Sequence, residues 1–160
     1  TTEIYTLSLH DALPICLTDH RLQLTRQLQA PLQRHLNRYL QLLFPEASLS
    51  VDEALVPEIL VRQGHGGEER GRFAELSFGA REQMGLISRL AYADLLREAG
   101  RPTLVILDDA LVHSDVERLG NMKRVLFDAA DRHQILLFSC HPDSWRDLGV
   151  VPRDVAALGG

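Results

Sequence analysis

Lysine is almost missing from this 160-residue chain: Lys123 is the only one among seventeen basic residues. A G-x-x-x-x-G-K-[ST] pattern is therefore absent, and with it the P-loop that cradles nucleotide phosphates. Cysteine is nearly as scarce. Cys16 and Cys140 cannot build a disulfide framework, and neither falls in a C-x-x-C or Cys/His metal spacing. A reducing cytoplasm is the simplest compartment for such a chain. No apolar run approaches the ~18 residues that a spanning helix needs, so no membrane partner is expected. Positive charge is also short, and the formal net charge of −5 gives no long-range attraction for nucleic acid or anionic lipid, although a local basic stripe can persist within it.

What is present suits one globular α/β domain, at 45% apolar and 24% charged residues. Residues 1–15, "TTEIYTLSLHDALPI", read residue for residue as the translation of a common short-read sequencing adapter. They are expected to be non-native and are set aside, and the true N-terminus is expected to be missing. From Asp19 to Phe44 the spacing of Leu28, Leu32, Leu36, Tyr39, Leu40 and Leu43 is helical. Arg21, Arg26, Arg34 and Arg38 take polar positions, and Pro31 predicts a kink or a fresh start. Either a helix lying on a sheet or the root of a coiled coil accounts for this stripe.

Strands are expected at Ala47–Asp52 and Glu58–Gln63, followed by the glycine- and charge-rich turn Gly64–Arg72. A helix follows over Ala80 to Arg97. The run Thr103–Leu107, "TLVIL", has the all-apolar character of a strand buried on both faces of a parallel sheet. Ser114 to Glu117 fits a capping box for a helix carried by Leu119, Met122, Leu126 and Ala129. "ILLF" at Ile135–Phe138 closes a right-handed βαβ unit, ahead of a short helix near Trp145 and a last strand near Val150.

Three chemical features stand at element ends. The loop Leu76–Gly79 opens a helix, whose free N–H groups suit an anion. "TLVIL" delivers Asp108 and Asp109 at its carboxyl edge, where open α/β sheets place ligands. "ILLF" delivers His141 to the same edge through Ser139 and Cys140, the latter read as a buried, unreactive thiol. His113 and His133 read as surface or cap residues. Adjacent carboxylates attract a hard cation such as Mg²⁺, and an imidazole can bond a phosphate oxygen.

In order and interval, "LSFGAREQ" resembles the signature motif of ATP-binding-cassette (ABC) ATPases, "LVILDD" their Walker B strand, "HSD" their D-loop and "LLFSCH" their switch-histidine strand. Together they resemble the C-terminal half of a head domain of the structural-maintenance-of-chromosomes (SMC) class, within the P-loop NTPases. More narrowly they are similar to YhaN-type ATPases, coiled-coil proteins linked to DNA repair or chromosome maintenance. The resemblance spans Pro31 to Asp147. With the adapter-derived artefact at 1–15 set aside, it implies two parts, a coiled-coil root at 16–44 and the C-terminal lobe at 45–160. ATP and Mg²⁺ are the implied cofactors, a homodimer through the nucleotide sandwich the implied assembly, and DNA a possible partner.

By the same resemblance Asp108 would hold Mg²⁺, Asp109 would act as catalytic base and His141 would sense the γ-phosphate. Ser77, Phe78, Gly79 and Gln83 would serve nucleotide held by the other subunit, with Asp115 signalling across the dimer. Most cassette ATPases carry Glu where this chain has Asp109. A carboxylate one methylene shorter stands roughly 1.5 Å farther from its water, and misplacement of about 1 Å can cost about a hundredfold in rate. Slow turnover is expected, and the chain alone is expected neither to bind ATP tightly nor to hydrolyse it. Two other classes compete: a metal-dependent phosphoesterase or nuclease built on Asp108, Asp109, Asp115 and His141, and an interaction module with a vestigial signature.

Overall fold

The computed structural model describes residues 9–64 and 66–154. Of the segment expected to derive from an adapter, residues 1–8 lie outside the described residues, and the remainder belongs to helix α1, Leu9–Leu43. The stripe Leu32, Leu36, Tyr39 and Leu40 is buried. Pro31 neither ends nor restarts the helix, which runs through it. An interior proline costs about 3 kcal/mol. Four large side chains, each contributing about 1.5–3 kcal/mol on burial, outweigh that. Leu22, Leu24 and Leu28 are exposed, so the buried stripe begins one turn later than the spacing predicts.

The two expected strands form as β1, Ser48–Val51, and β2, Pro57–Gly64, paired antiparallel. The Tyr92 hydroxyl donates to the Leu55 carbonyl at 2.6 Å and pins the turn between them to helix α2, Phe78–Glu98. The stretch read as a turn after β2 is instead largely a third strand. β3, Gly67–Arg72, pairs antiparallel with β2, and Gly67 takes a φ of 116° that side-chain-bearing residues avoid. Its sequence, GEERGR, carries no apolar residue. The backbone ladder holds it, helped by Arg62 standing opposite Glu69 with 3.0 Å between their charged groups.

Strands β4, Leu104–Asp108, and β5, Gln134–Phe138, pair in parallel, with helix α3, Val116–Ala130, between them in the chain. This is the expected βαβ order. Burial on both faces is not realised. Val105 and Leu107 are buried, whereas Leu104, Ile106, Leu136 and Phe138 on the alternate positions are between 39% and 56% exposed. The alternation follows from the period of two along a strand when only one face is covered.

α3 is capped by Asp115, whose carboxylate accepts from the Arg118 N–H at 2.9 Å. The expected capping box is thus displaced by one residue, and Ser114 Oγ is buried without a partner. The helix expected near Trp145 is a 3-10 turn, Pro142–Leu148, that buries Trp145 and ends at Gly149 with φ 71°. Among the described residues no strand forms near Val150, which is exposed, and residues 149–154 have no regular structure. Among the described residues no helix is long and apolar enough to cross a membrane.

Candidate functional site

Parallel pairing sets Asp108 beside Phe138, so the carboxyl ends of β4 and β5 meet at one edge. Asp108 is exposed there. Asp109 follows with φ 42°, a left-handed conformation that Asp tolerates better than most residues. Its N–H donates to the Phe138 carbonyl at 2.9 Å, and its Oδ1 accepts from the Cys140 N–H at 2.8 Å. The His141 N–H donates to Ser139 Oγ at 3.0 Å. Cys140 Sγ lies 3.1 Å from His141 Nδ1, and one ligand atom each from Asp109, Cys140 and His141 falls within 4.8 Å of the others.

These contacts set the local charge. The Cys140 backbone N–H, then its thiol, then His141 hold the Asp109 carboxyl below the ordinary carboxylate range. The same carboxylate pushes the Cys140 thiol up. A buried thiol was the expectation for Cys140; it is exposed, because β5 ends at Phe138 and the chain leaves the sheet there.

The second group of residues lies where α2 begins. Ser77 is exposed and its Oγ accepts from the Ala80 N–H at 3.3 Å. Phe78 is 61% exposed and meets the His113 ring edge-on at 5.0 Å. A Cβ on Gly79 would stand 3.1 Å from Arg118 Nη1 and 3.6 Å from the His113 carbonyl, so the helix start is seated closely on the segment leading into α3. Glu82 Oε1 accepts from the Leu111 N–H at 2.9 Å. Gln83, expected at a nucleotide, is buried, with its amide directed at the Arg118 carbonyl at 3.5 Å. Asp115 is exposed and 3.3 Å from Arg118.

The structure thus joins Asp109 and His141 through Cys140, and seats Phe78 and Gly79 on the segment ending at Asp115, with Ser77 exposed beside them. The chain between Asp109 and Asp115 links the two groups, clamped at Leu111 by Glu82. Sequence reasoning missed Glu82 and Arg118 as clamps, and of the two readings of His133, surface or cap residue, the surface one fails: its ring is buried against Asp94, while its N–H donates to the Ala129 carbonyl at the end of α3. The adjacency of Cys140 to His141 at a strand end was the available signal for their cluster. Lys123, the sole lysine, bonds Asp147 at 2.5 Å and lies 5.8 Å from the Trp145 ring centroid.

No family model matches the chain. Two uncharacterized proteins, from Mycobacterium bovis and Mycobacterium tuberculosis, are each 41% identical to it over 68 residues, which is 42% of this chain and 8% of the relative. The chain therefore spans less than a tenth of the length of these curated relatives. Among solved structures it resembles the SMC head domain from Thermotoga maritima, with a TM-score of 0.55 and 16% identity over 78% of this chain and 44% of that one. It also resembles a structure from work on the ATP-driven dimerization and DNA-stimulated activation of SMC ATPases, with a TM-score of 0.62 and 14% identity over 83% of this chain and 84% of that one. At such identities the likeness is one of fold: this is a mixed α/β chain with the fold of an SMC ATPase head domain, consistent with the expected C-terminal half of a P-loop NTPase.

Proposed function

We propose that this chain is the C-terminal lobe of an SMC-like ATPase head, with residues 16–44 as a coiled-coil root and 45–160 as the lobe. It completes a nucleotide site across a homodimer, in a cytoplasmic protein of DNA repair or chromosome maintenance. The carrying observation is the arrival of Asp108, Asp109 and His141 at one sheet edge, in a chain with this fold. The exposed loop at Ser77, seated on the segment that ends at Asp115, supports the same reading.

The residues fit half of a Mg·ATP site. Exposed adjacent carboxylates at a strand end suit a hard cation, so Asp108 would hold Mg²⁺. The phosphate cradle has no counterpart in this sequence, since its one lysine is engaged by Asp147. When bound, Mg·ATP supplies a phosphoryl group whose charge the site must stabilise. Asp109, kept ionised at neutral pH, would polarise a water, and His141 would bond a terminal phosphate oxygen. Ser77 and Phe78 are exposed and, with Gly79 at the helix start, would serve a nucleotide held by the second subunit. Gln83 and Glu82 act as struts behind them. The shorter reach of Asp109, relative to the glutamate common in such enzymes, makes turnover slow.

Calorimetric titration of this chain with Mg·ATP is expected to show no saturable binding; micromolar affinity would overturn the reading. In the full-length protein, Ser77→Arg is expected to abolish ATP-dependent dimerization while sparing nucleotide binding to the same subunit. Dimerization that survives the substitution would leave the signature loop without the proposed role. Divalent-metal-dependent phosphodiester cleavage without nucleotide, lost in Asp108→Ala, would favour a phosphoesterase instead.

A further inference from the structure

We propose that Asp109, Cys140 and His141 form a site for a thiophilic divalent cation, with zinc the fitting ion. The three residues supply a carboxylate oxygen, a sulfur and an imidazole nitrogen, all exposed and all with a ligand atom within 4.8 Å of the others. Zinc takes this mixture of donors, whereas Mg²⁺ prefers oxygen and leaves a thiolate alone. Ligands at about 2.0–2.3 Å from a tetrahedral centre stand about 3.3–3.8 Å apart, so the observed spread closes on an ion by side-chain adjustment alone. The 3.1 Å between Cys140 Sγ and His141 Nδ1 opens slightly, and Asp109 moves inward.

The backbone is already arranged for this. The Cys140 N–H fixes Asp109 Oδ1, leaving Oδ2 for the ion, and Ser139 Oγ holds the His141 N–H. Asp109 is itself locked to Phe138 through its own N–H. On binding, a zinc–sulfur bond forms as the Cys140 S–H bond breaks, and the thiol proton leaves to solvent. Three protein ligands leave a fourth position for water.

The site shares two residues with the proposed hydrolytic edge. It follows, on the reading given under Proposed function, that zinc occupancy and ATP hydrolysis exclude each other, since a metal-bound Asp109 cannot serve a water as base. The binding itself does not depend on that reading.

The test uses cobalt(II) as a spectroscopic stand-in for zinc, added to this chain under reducing conditions with a non-thiol reductant. A thiolate-to-cobalt charge-transfer band and the ligand-field bands of a tetrahedral centre are expected at one equivalent, bleached by zinc and untouched by excess magnesium. Cys140→Ser is expected to remove the charge-transfer band and weaken zinc binding by about a hundredfold or more. Asp109→Asn weakens binding but keeps the band, and Cys16→Ser changes nothing. Circular dichroism of the metal-free variants establishes that each is folded. Absence of the band in the unmodified chain, its survival in Cys140→Ser, or its loss in Cys16→Ser would each overturn the site. Zinc binding without inhibition of the full-length ATPase would uphold the site and count against Asp109 as the base.

Discussion

The Tyr39 hydroxyl donates a 2.7 Å hydrogen bond to Asp94 Oδ2, joining α1 to α2 through the core. Asp94 is 1% exposed, with His133 Nε2 at 2.8 Å and Arg132 Nε at 3.3 Å from its other oxygen. Arg132 also donates to the Tyr39 hydroxyl at 3.1 Å and pairs with Asp128. Burial pushes the Tyr39 hydroxyl up to about 12. A buried charge so fully bonded is costly to break from one side, because its partners stay buried and unpaired. Asp94→Ala is expected to destabilise the chain by about 3–5 kcal/mol. Tyr39→Phe, which removes the bond donated to Asp94 and the one accepted from Arg132 but keeps the ring, is expected to cost about 2 kcal/mol. Urea unfolding followed by circular dichroism separates the two; a loss below 1 kcal/mol for Asp94→Ala would deny the cluster its structural role.

The same carboxylate sets an acid limit. Burial alone would raise the Asp94 pKa, but the bonds from Tyr39 and His133 and the charge of Arg132 outweigh it, and the net direction is downward from 3.8. A carboxyl depressed in the folded state binds protons more readily when unfolded. Its contribution is therefore complete above the unfolded value of about 3.9 and is lost as pH falls through the lower folded value. Asp94→Asn lacks this dependence. As pH falls below about 3.9, the melting temperatures of the two proteins are expected to draw together, with the native chain losing more. Parallel curves would show that Asp94 does not titrate with unfolding.

Legibility along the chain followed the physics of each segment. Helices α2 and α3 show apolar residues at helical spacing, β4 and β5 are short apolar runs, and each element lies close to where the sequence predicts. β3 was illegible because its ladder needs no apolar face: GEERGR reads as a turn until β2 is beside it. Pro31 misled for the opposite reason, since the packing of Leu32 through Leu40 lies outside local rules. At the site, the order Asp108, Asp109, His141 was visible as strand ends on one edge. Cys140 was not, because its exposure depends on β5 stopping at Phe138.

Gly79 offers a test of how tightly the loop is seated. Its φ is not in the left-handed region, so only contact opposes a side chain there. The nearer obstacle, at 3.1 Å, is the tip of Arg118, a flexible and 47% exposed side chain that can swing aside. Alanine also relieves the helix of glycine's excess backbone entropy, worth about 0.5–1 kcal/mol. Gly79→Ala is accordingly expected to melt at or slightly above the native temperature. Gly79→Val brings branches toward the His113 carbonyl and is expected to melt below it. A large loss for alanine would mean that the loop cannot yield at Arg118.

The open face of the β4–β5 sheet makes the last prediction. Leu104, Ile106, Leu136 and Phe138 form an apolar strip on alternate positions, and Ile106 is 56% exposed. Parallel sheets are ordinarily covered on both faces, so a strip of this kind should bind a hydrophobic dye. Replacing Ile106 and Leu104 together with serine removes its two most exposed members without touching Val105 or Leu107 beneath. Fluorescence of an anilinonaphthalene dye is expected to fall severalfold in the double variant. About half of each side chain is covered, so the unfolding free energy is expected to fall by about 1.5–3 kcal/mol, and the dye is read well below the transition. Dye binding that persists unchanged would place the accessible apolar surface elsewhere, with the exposed Leu22, Leu24 and Leu28 of α1 next to be replaced.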